Sequence, residues 1–502
     1  MTLLSSIGIT LEGLLAHTEI ISVTGSPKGE VKGLSHDSRT LSSGDLFFAL
    51  PGQLENGRMF VSQAVERGAL AVVAQEEIAG LPIPMIRVEN ARSAMADLSA
   101  AYYGFPSRSL AVAGVTGTNG KTTTSWIIRH LCDAVGRACG LIGTIEYVLP
   151  GFTEAAWRTT PESSELEHML ARMRDGGFRA ASLEVSSHAL VQQRVRGVEF
   201  DAAIFTNLSQ DHLDYHGTME EYFAAKALFF SQLASQQVKK GRAIINADDR
   251  YGHRLIDRIS GVPIVTYGQG SNCDFRASDI AFTATGTIFR LDAKGRSYLV
   301  RTPLIGLFNV YNTLAALAAG SSMGLELRRA VKAAATIPQV PGRLQRVPGK
   351  KTFQAFVDYA HTPDALENVL KSLRQLQPAR IITVFGCGGD RDRSKRAPMA
   401  EVAERNSDHV IITSDNPRSE DPLSIIREVE KGLRRAGYES FVGREVAIRR
   451  AVELAGSGDI ILIAGKGHES YQETAAGRIP FDDVSVTASA MASKMTGEVM
   501  SR

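Results

Sequence analysis

The segment Gly114-Val115-Thr116-Gly117-Thr118-Asn119-Gly120-Lys121-Thr122-Thr123-Thr124 carries the most legible chemistry in this chain. Its glycines allow a tight backbone path, so that successive N–H groups and the start of a following helix can cradle phosphate oxygens. Lys121 would then reach the β- and γ-phosphates, and the Thr122 hydroxyl a Mg2+ ion. Val115 stands where the strict phosphate-loop pattern has glycine. The context is nevertheless the one that pattern requires: a strand-like run, Leu110–Val115, precedes the loop and a helical pattern, Thr122 to Val135, follows it. Binding of ATP or GTP follows from these residues, against the alternative of a merely Gly-rich turn.

A second group runs Leu183-Glu184-Val185-Ser186-Ser187-His188 and then Thr206 to Gly217, with acids and histidines just after apolar runs. In a doubly wound sheet such strand ends face the ligand crevice. Glu184, Asp211 and His212 could hold or orient a divalent metal beside a triphosphate, or could be ordinary loop polar residues. Lys226, in the helical stretch Met219 to Phe230, reads from its neighbours as a snorkelling or surface lysine. Further on, Asp358–Pro363, Gly386–Asp392 and Ser414–Arg418 each follow an apolar run, which suggests one shared cleft. There Arg391 and Arg418 could each grip a carboxylate, and Gly465-Lys466-Gly467-His468-Glu469 offers close backbone approach with an acid to receive an ammonium group. That combination suits a zwitterion; otherwise these arginines are solvated loop charges.

The elements that must position these groups follow from length and pattern. At roughly 150 residues per domain, 502 residues suggest about three domains. Short apolar runs such as Asp45–Leu50 and Ala69–Ala74 predict a small α/β unit at 1–105, alternating strand and helix patterns a doubly wound domain at 106–338, and the runs Ile381–Phe385, Val410–Thr413 and Ile460–Ala464 another α/β domain at 339–502, after the break Pro338–Gly342. Fifty-six basic against fifty-four acidic residues give +2, too balanced to advertise nucleic acid or a membrane surface. The cysteines Cys132, Cys139, Cys273 and Cys387 form no CxxC pair, which fits unpaired thiols in a reducing compartment. Met1–Leu15 has no basic leader, and no apolar run reaches the roughly 18 residues of a membrane span, so a cytoplasmic protein is expected.

Taken together, Gly117–Thr122, Asp211-His-Leu-Asp-Tyr-His-Gly217 and Asp358-Tyr-Ala-His-Thr-Pro363 resemble the motifs of the Mur ligase family, and the resemblance covers nearly the whole chain. It implies three α/β domains: a small N-terminal domain for a UDP-linked precursor, a central ATPase domain and a C-terminal Rossmann-like domain for an amino acid. It also implies ATP-dependent peptide-bond formation through an acyl phosphate, with Mg2+. By this resemblance Lys121, Glu184, His212 and Lys226 are catalytic, and Thr122, Glu184, His212 and a carbamylated Lys226 serve the metal. ATP is met by Gly117, Thr118, Asn119, Gly120, Lys121, Thr122 and Thr123, and more loosely by Asn309, Asn312, Arg343, Asp358 and His361. The precursor, a UDP-N-acetylmuramoyl dipeptide, is met by Ser38, Thr159, Thr160, Ser186, Gln192 and Arg194.

The amino-acid site would comprise Arg391, Asp415, Asn416, Pro417, Arg418, Gly465 and Glu469. Asp415-Asn-Pro-Arg418 resembles the variant found in members that add meso-diaminopimelate, whose second carboxylate a buried Arg418 would pair; lysine would leave that guanidinium unpaired. A lysine-adding relative, or a nucleotide-binding module that does not ligate, are the alternatives. Three small-molecule substrates, a monomer, and closure of the outer domains onto the middle one complete the expectation. Val484-Ser-Val-Thr487 departs from the more charged helix start common in the family.

Overall fold

The computed structural model describes residues 8–52, 56–283, 285–349 and 352–500, without the side chains of 495–500. Met1–Ile7, on which the reading of the N-terminus partly rests, lie outside the described residues. The first sheet contains β1 (Ser22–Thr24), β2 (Gly33–Ser35), β3 (Asp45–Phe48), β4 (Ala71–Ala74) and β5 (Met85–Arg87), in the order β1-β5-β4-β3-β2. Alternate residues of β3 and β4 face two separate apolar clusters, with Leu46 and Val73 on one side and Phe47 and Val72 on the other. Burial on both faces explains why these runs are apolar throughout.

The middle sheet has eleven strands: β6 (Ala111–Thr116), β7 (Cys139–Ile142), β8 (Glu146–Leu149), β9 (Phe152–Ala155), β10 (Ala180–Glu184), β11 (Ala202–Phe205), β12 (Arg242–Asn246), β13 (Ile264–Gly268), β14 (Phe275–Thr283), β15 (Gly286–Ala293) and β16 (Arg296–Thr302). β6 lies between β10 and β11, parallel to both. From β6 the chain builds out to β7 and back through β10, then crosses to β11, β12 and β13. The order reverses at β6, and the crevice beyond its C-terminal end is where such sheets bind ligands. The doubly wound expectation holds for this core and misses its edges. β8–β9 and β15–β16 extend the sheet antiparallel, β14 still running parallel to β13. The missed signal was Lys294-Gly295, both at positive φ (53° and 70°), the geometry of a two-residue hairpin turn.

The third sheet contains β17 (Gln345–Arg346), β18 (Gln354–Asp358), β19 (Ile381–Phe385), β20 (His409–Thr413), β21 (Glu439–Phe441) and β22 (Ile460–Ala464), in the order β17-β18-β22-β19-β20-β21. All but β17 run parallel, so the loops after β18, β19, β20 and β22 emerge at one end. A hairpin, β23 (Tyr471–Thr474) with β24 (Gly477–Pro480), follows β22. The helix Asp483–Met500 then returns to the sheet despite its uncharged continuation. Its first residue makes a 2.7 Å ion pair with Arg444, both side chains fully buried, and Arg444 also donates to the carbonyls of Ser414 and Ala464.

The three parts are docked. The helix Ala91–Tyr102 lies on Ser163–Asp175 of the middle part, with Arg92–Glu162 (3.0 Å) and Arg196–Asp97 (2.9 Å) at its margins. Arg343 and Asp364, from the third part, reach the Gly117–Thr122 loop. All four cysteines are free thiols. Among the described residues no helix is long and apolar enough to cross a membrane.

Candidate active site

The loop after β6 is held open by a close fit that only glycine permits. At Gly117 (φ 145°) an added Cβ would lie 1.9 Å from Thr206 Oγ1, and at Gly120 (φ 88°) 2.4 Å from Asn312 Oδ1. The strand-end loop Thr206–Ser209 braces the other side. Thr118 N donates to Asn207 O, Asn119 N to Asn207 Oδ1, and Thr206 Oγ1 to Asn119 O at 2.6 Å. The helix Lys121–Ala134 starts at the end of this loop, so its first N–H groups open on the crevice. Lys121 Nζ donates to the carbonyls of Gly117 (3.0 Å) and Thr118 (2.8 Å), and burial lowers its pKa.

Lys226 is the largest correction to the reading of the residues alone. It is a fully buried side chain of the helix Met219–Ala234, and its Nζ donates to Gly117 O at 2.9 Å, over the Tyr222 ring. Burial, and next the charge of Lys121, push its pKa well down. Two amines thus converge on one carbonyl.

Glu184, at the end of β10 and fully buried, accepts from Thr122 Oγ1 (3.0 Å), Thr144 N (2.8 Å) and Thr144 Oγ1 (3.0 Å). His212, at φ 54°, has its pKa pushed down to about 4 by desolvation and by the nearby lysines, against the pull of Asp211. These residues do not form a ready-made metal cluster: among the described residues no group of three or more His, Cys, Asp or Glu could hold an ion. Lys226, as an amine, is a donor here and not a ligand. Oxygen donors do fit Mg2+. The Thr122 hydroxyl and Glu184 carboxylate stand 3.0 Å apart, the spacing of adjacent ligands on an octahedron of about 2.1 Å radius.

On the precursor side, Thr160 Oγ1 donates to Glu184 O (2.8 Å), and Thr159 and Thr144 share a hydrogen bond. Ser186 caps the helix Ser187–Val191. Arg194 donates to Thr160 O (2.9 Å) and to Gln192 Oε1 (2.6 Å). The sequence reading missed the partner that organises this side. Glu162 collects Arg92 (3.0 Å), Arg158 (2.7 Å) and Arg194 (3.1 Å), leaving an excess of positive charge beside Thr159 and Thr160. Its local signal was a capping box, Glu162 with Glu165, at the start of Ser163–Asp175. Ser38 is elsewhere, buried in the first part and donating to Gln63 Oε1 at 2.6 Å.

One cavity of about 860 Å3 joins most of these groups. Its lining includes residues 118–123, Thr159, Thr160, Glu184, Ser186, Arg194, Asp211, His212, Lys226 and Asn312 from the middle part, and Arg343, Asp358 and His361 from the third. Asn309 does not line it and instead supports Asn312, whose Nδ2 donates to Asn309 Oδ1 at 3.0 Å. Arg343 donates to Thr122 Oγ1 (3.1 Å). Asp358 accepts from the N–H groups of Leu344 and Ala360, and burial pushes its carboxyl up to about 6. His361 Nδ1 donates to Tyr359 O, and burial lowers its pKa.

The remaining predicted residues gather at the ends of β19, β20 and β22. A Cβ at Gly388 would meet Arg418 Nη1 at 3.0 Å and Arg391 Cγ at 3.7 Å, so the two arginines flank one turn. Gly465 (φ 116°) lets Asp415 approach, and Asp415 Oδ2 is buried with no hydrogen-bond partner among the described residues. Glu469 accepts from Lys466 Nζ (2.9 Å) and Asn416 Nδ2 (2.8 Å), both on Oε2. One expectation is corrected. Arg418 is not a fully buried, waiting guanidinium: its side chain is 22% exposed and its Nε donates to Glu473 Oε2 at 3.1 Å.

Comparison with known proteins gives three family matches: "Mur ligase family, catalytic domain" over residues 30–103, "Mur ligase middle domain" over 115–320, and "Mur ligase, glutamate ligase domain" over 342–467. The UDP-N-acetylmuramoyl-L-alanyl-D-glutamate–2,6-diaminopimelate ligase of Geobacillus kaustophilus is 45% identical, covering 95% of this chain and 98% of that protein. Its namesake in Geobacter sulfurreducens is 43% identical, over 97% and 100%. A solved structure of a ligase of that name superposes with TM-score 0.72 at 35% identity, covering 97% of this chain and all of the other. The Thermotoga maritima MurF ligase in complex with ADP (TM-score 0.64, 19% identity, 93% of this chain and 99% of that one) shares the fold.

Proposed function

This chain belongs to the Mur ligase family, and from that membership we propose that it joins meso-2,6-diaminopimelate to UDP-N-acetylmuramoyl-L-alanyl-D-glutamate at the expense of ATP, a step of peptidoglycan precursor synthesis. The observation that carries this reading is the single cavity in which the nucleotide loop, the Arg158–Arg194 side and Asp358–His361 of the third part face one another.

The chemistry is an acyl transfer in two steps. A precursor carboxylate attacks the γ-phosphorus, the bond to ADP breaks, and an acyl phosphate forms. The diaminopimelate amine then attacks the acyl carbon, phosphate leaves, and the amine loses a proton. Loop N–H groups and Lys121 hold the phosphates, Lys121 exchanging its two loop carbonyls for phosphoryl oxygens as charge develops there. Arg194 and Arg158, with Thr159 and Thr160, orient the anionic precursor. Mg2+, when bound by Thr122 and Glu184 with help from His212 and a carbamylated Lys226, neutralises phosphoryl charge. The lowered pKa of Lys226 favours that modification, because only the neutral amine attacks carbon dioxide. Carbamylation would turn the second amine on Gly117 O into an anion. Asn312, Arg343, Asp358 and His361 border the nucleotide, while Arg391, Asp415–Arg418, Gly465 and Glu469 receive the amino acid and Ser38 the uridine side. The domains are taken as 1–105, 106–338 and 339–502. We take the protein to act as a monomer, with cytoplasmic small molecules as its partners.

Phosphate release by the purified protein with ATP, Mg2+ and the dipeptide precursor, comparing meso-diaminopimelate with L-lysine, tests this. Turnover with diaminopimelate is expected. Turnover only with lysine would reassign the third-part pocket, and none with either would leave a nucleotide-binding module.

A further inference from the structure

The middle part has a second cavity, of about 620 Å3, that the ligase chemistry does not use. It lies where the parallel strands begin, beside Ala111 at the head of β6 and Arg179 just before β10. The phosphate-binding loop is at the other end of these strands. The helix Lys121–Ala134 starts at that loop and ends beside this cavity, and its fourteen residues set the two about 21 Å apart.

Three arginines from separate segments converge there: Arg137 after that helix, Arg179 before β10, and Arg329 on the helix Leu327–Ala333. Among the described residues each guanidinium makes one hydrogen bond, to a backbone carbonyl: Arg137 to Met323, Arg179 to Phe178 and Arg329 to Val135. None of the three pairs with a described carboxylate. Asp133, close by, is engaged by Arg129 and by the Cys139 N–H, and Glu326, in the lining, makes no ion pair among the described residues. Two of the three hydrogen bonds have a structural reason, since Val135 and Met323 end helices whose last carbonyls lack partners. That occupies one N–H of the five each arginine carries. The two helix ends add only about −0.5 charge each, so with Glu326 they leave the arginines in excess by about one charge. Arg179 stands at neither helix end.

We propose that this cavity binds a phosphate monoester with a small apolar body, at a site separate from the active centre. A carboxylate offers two oxygens and one charge, enough for a single guanidinium fork. A phosphate monoester offers three terminal oxygens and nearly two charges, which suits donors arriving from three directions. Guanidinium groups already tethered to carbonyls lose less freedom when they bind. The volume exceeds what a bare phosphate fills and falls within the range of small-molecule sites, about 300–1,000 Å3. Val135, Leu325 and Ala111 give the remaining space apolar walls. Gly136 and Gly324 leave room at the rim: an added Cβ at the first meets nothing within 4 Å, and at the second only Arg137 Nη2, at 3.9 Å.

Calorimetric titration with phenyl phosphate tests this, the nucleotide loop being filled beforehand with a non-hydrolysable ATP analogue and Mg2+. One binding event is expected in the unaltered protein. Arg179→Ala and Arg329→Gln should each weaken it about tenfold, the loss of a charged hydrogen bond at an open site; glutamine keeps an N–H for the Val135 carbonyl. Inorganic phosphate and benzoate should each bind at least about tenfold more weakly than phenyl phosphate, the first lacking the apolar body and the second the third oxygen and second charge. No binding of phenyl phosphate overturns the proposal, and so does binding that both substitutions leave unchanged, since the anion then sits elsewhere. Benzoate binding as tightly overturns the choice of phosphate, and inorganic phosphate binding as tightly overturns the apolar body. Both variants should bind the ATP analogue as the unaltered protein does, because neither residue touches the loop; a loss there would overturn the separation of the two sites. Every one of these outcomes is read without ligase turnover, so the proposal stands or falls apart from the function proposed above.

Discussion

Glu167 offers the most quantitative prediction in this molecule. It sits on the helix Ser163–Asp175, is 1% exposed, and neither carboxyl oxygen has a hydrogen-bond partner among the described residues. Its neighbourhood is the seam with the first part: a Cβ at Gly197 would lie 2.7 Å from Glu167 Oε1 and 2.8 Å from Ala96 O. Burial pushes the carboxyl from its ordinary 4.5 up to about 8. For an acid whose folded pKa is raised, the unfolded chain releases its proton first, so stability declines as pH rises from the unfolded towards the folded value. With those two values the cost is about 0.8 kcal/mol at pH 5 and about 3.3 kcal/mol at pH 7, a difference of about 2.5 kcal/mol. Glu167→Gln stays neutral throughout and lacks this slope. Urea unfolding of both proteins at pH 5 and pH 7 should therefore show the variant gaining about 2.5 kcal/mol on the parent between the two pH values. A stability difference that is the same at both pH values would show that Glu167 does not carry a shifted pKa, and the reasoning from its burial would be wrong.

Other outcomes follow from the same structure. Arg444→Met leaves Asp483 buried without its partner and should cost about 3–5 kcal/mol in urea unfolding, with Asp483→Leu in the same chain recovering part of it; a loss below about 1 kcal/mol would contradict the pair's burial. Gly117→Ala drives a methyl group against Thr206 and should weaken ATP binding more than about tenfold by calorimetric titration, whereas unchanged affinity would mean the loop does not need that approach. Arg418→Ala should raise KM for diaminopimelate by about 30-fold or more, the worth of a charged hydrogen bond, and a smaller change would move the specificity determinant elsewhere. Exposure to 13C-labelled carbon dioxide should give a carbamate resonance that is lost in Lys226→Met; its persistence in that variant would exclude Lys226 as its source.

The fold was legible where neighbours in sequence settle the matter. β6, its glycine loop and the following helix were read closely because strand burial, glycine conformation and helix start are all local. The inner strands of the third sheet were equally visible as apolar runs buried on both faces. The antiparallel edges were not: β14–β16 alternate in burial, but their place in the sheet, like that of β8–β9, depends on which strands are already there. Lys226 was misread on its residues for a related reason: an alanine- and phenylalanine-rich helix tells how apolar its surroundings are, but not that a charged side chain points inward.

By itself the sequence determined the chemistry that lies within a few consecutive residues: the phosphate-binding loop, the strand-end motifs and the order of three α/β units. Only the tertiary structure decided which charges meet. Glu473 and Arg418 are 55 residues apart, Arg92 and Glu162 are 70, and Lys226 and Gly117 are 109. A buried charge is tolerated only with a partner, and sheet order supplies that partner from anywhere in the chain. Reactive groups can therefore be listed from spacing, whereas their protonation, pairing and selectivity belong to the packed molecule.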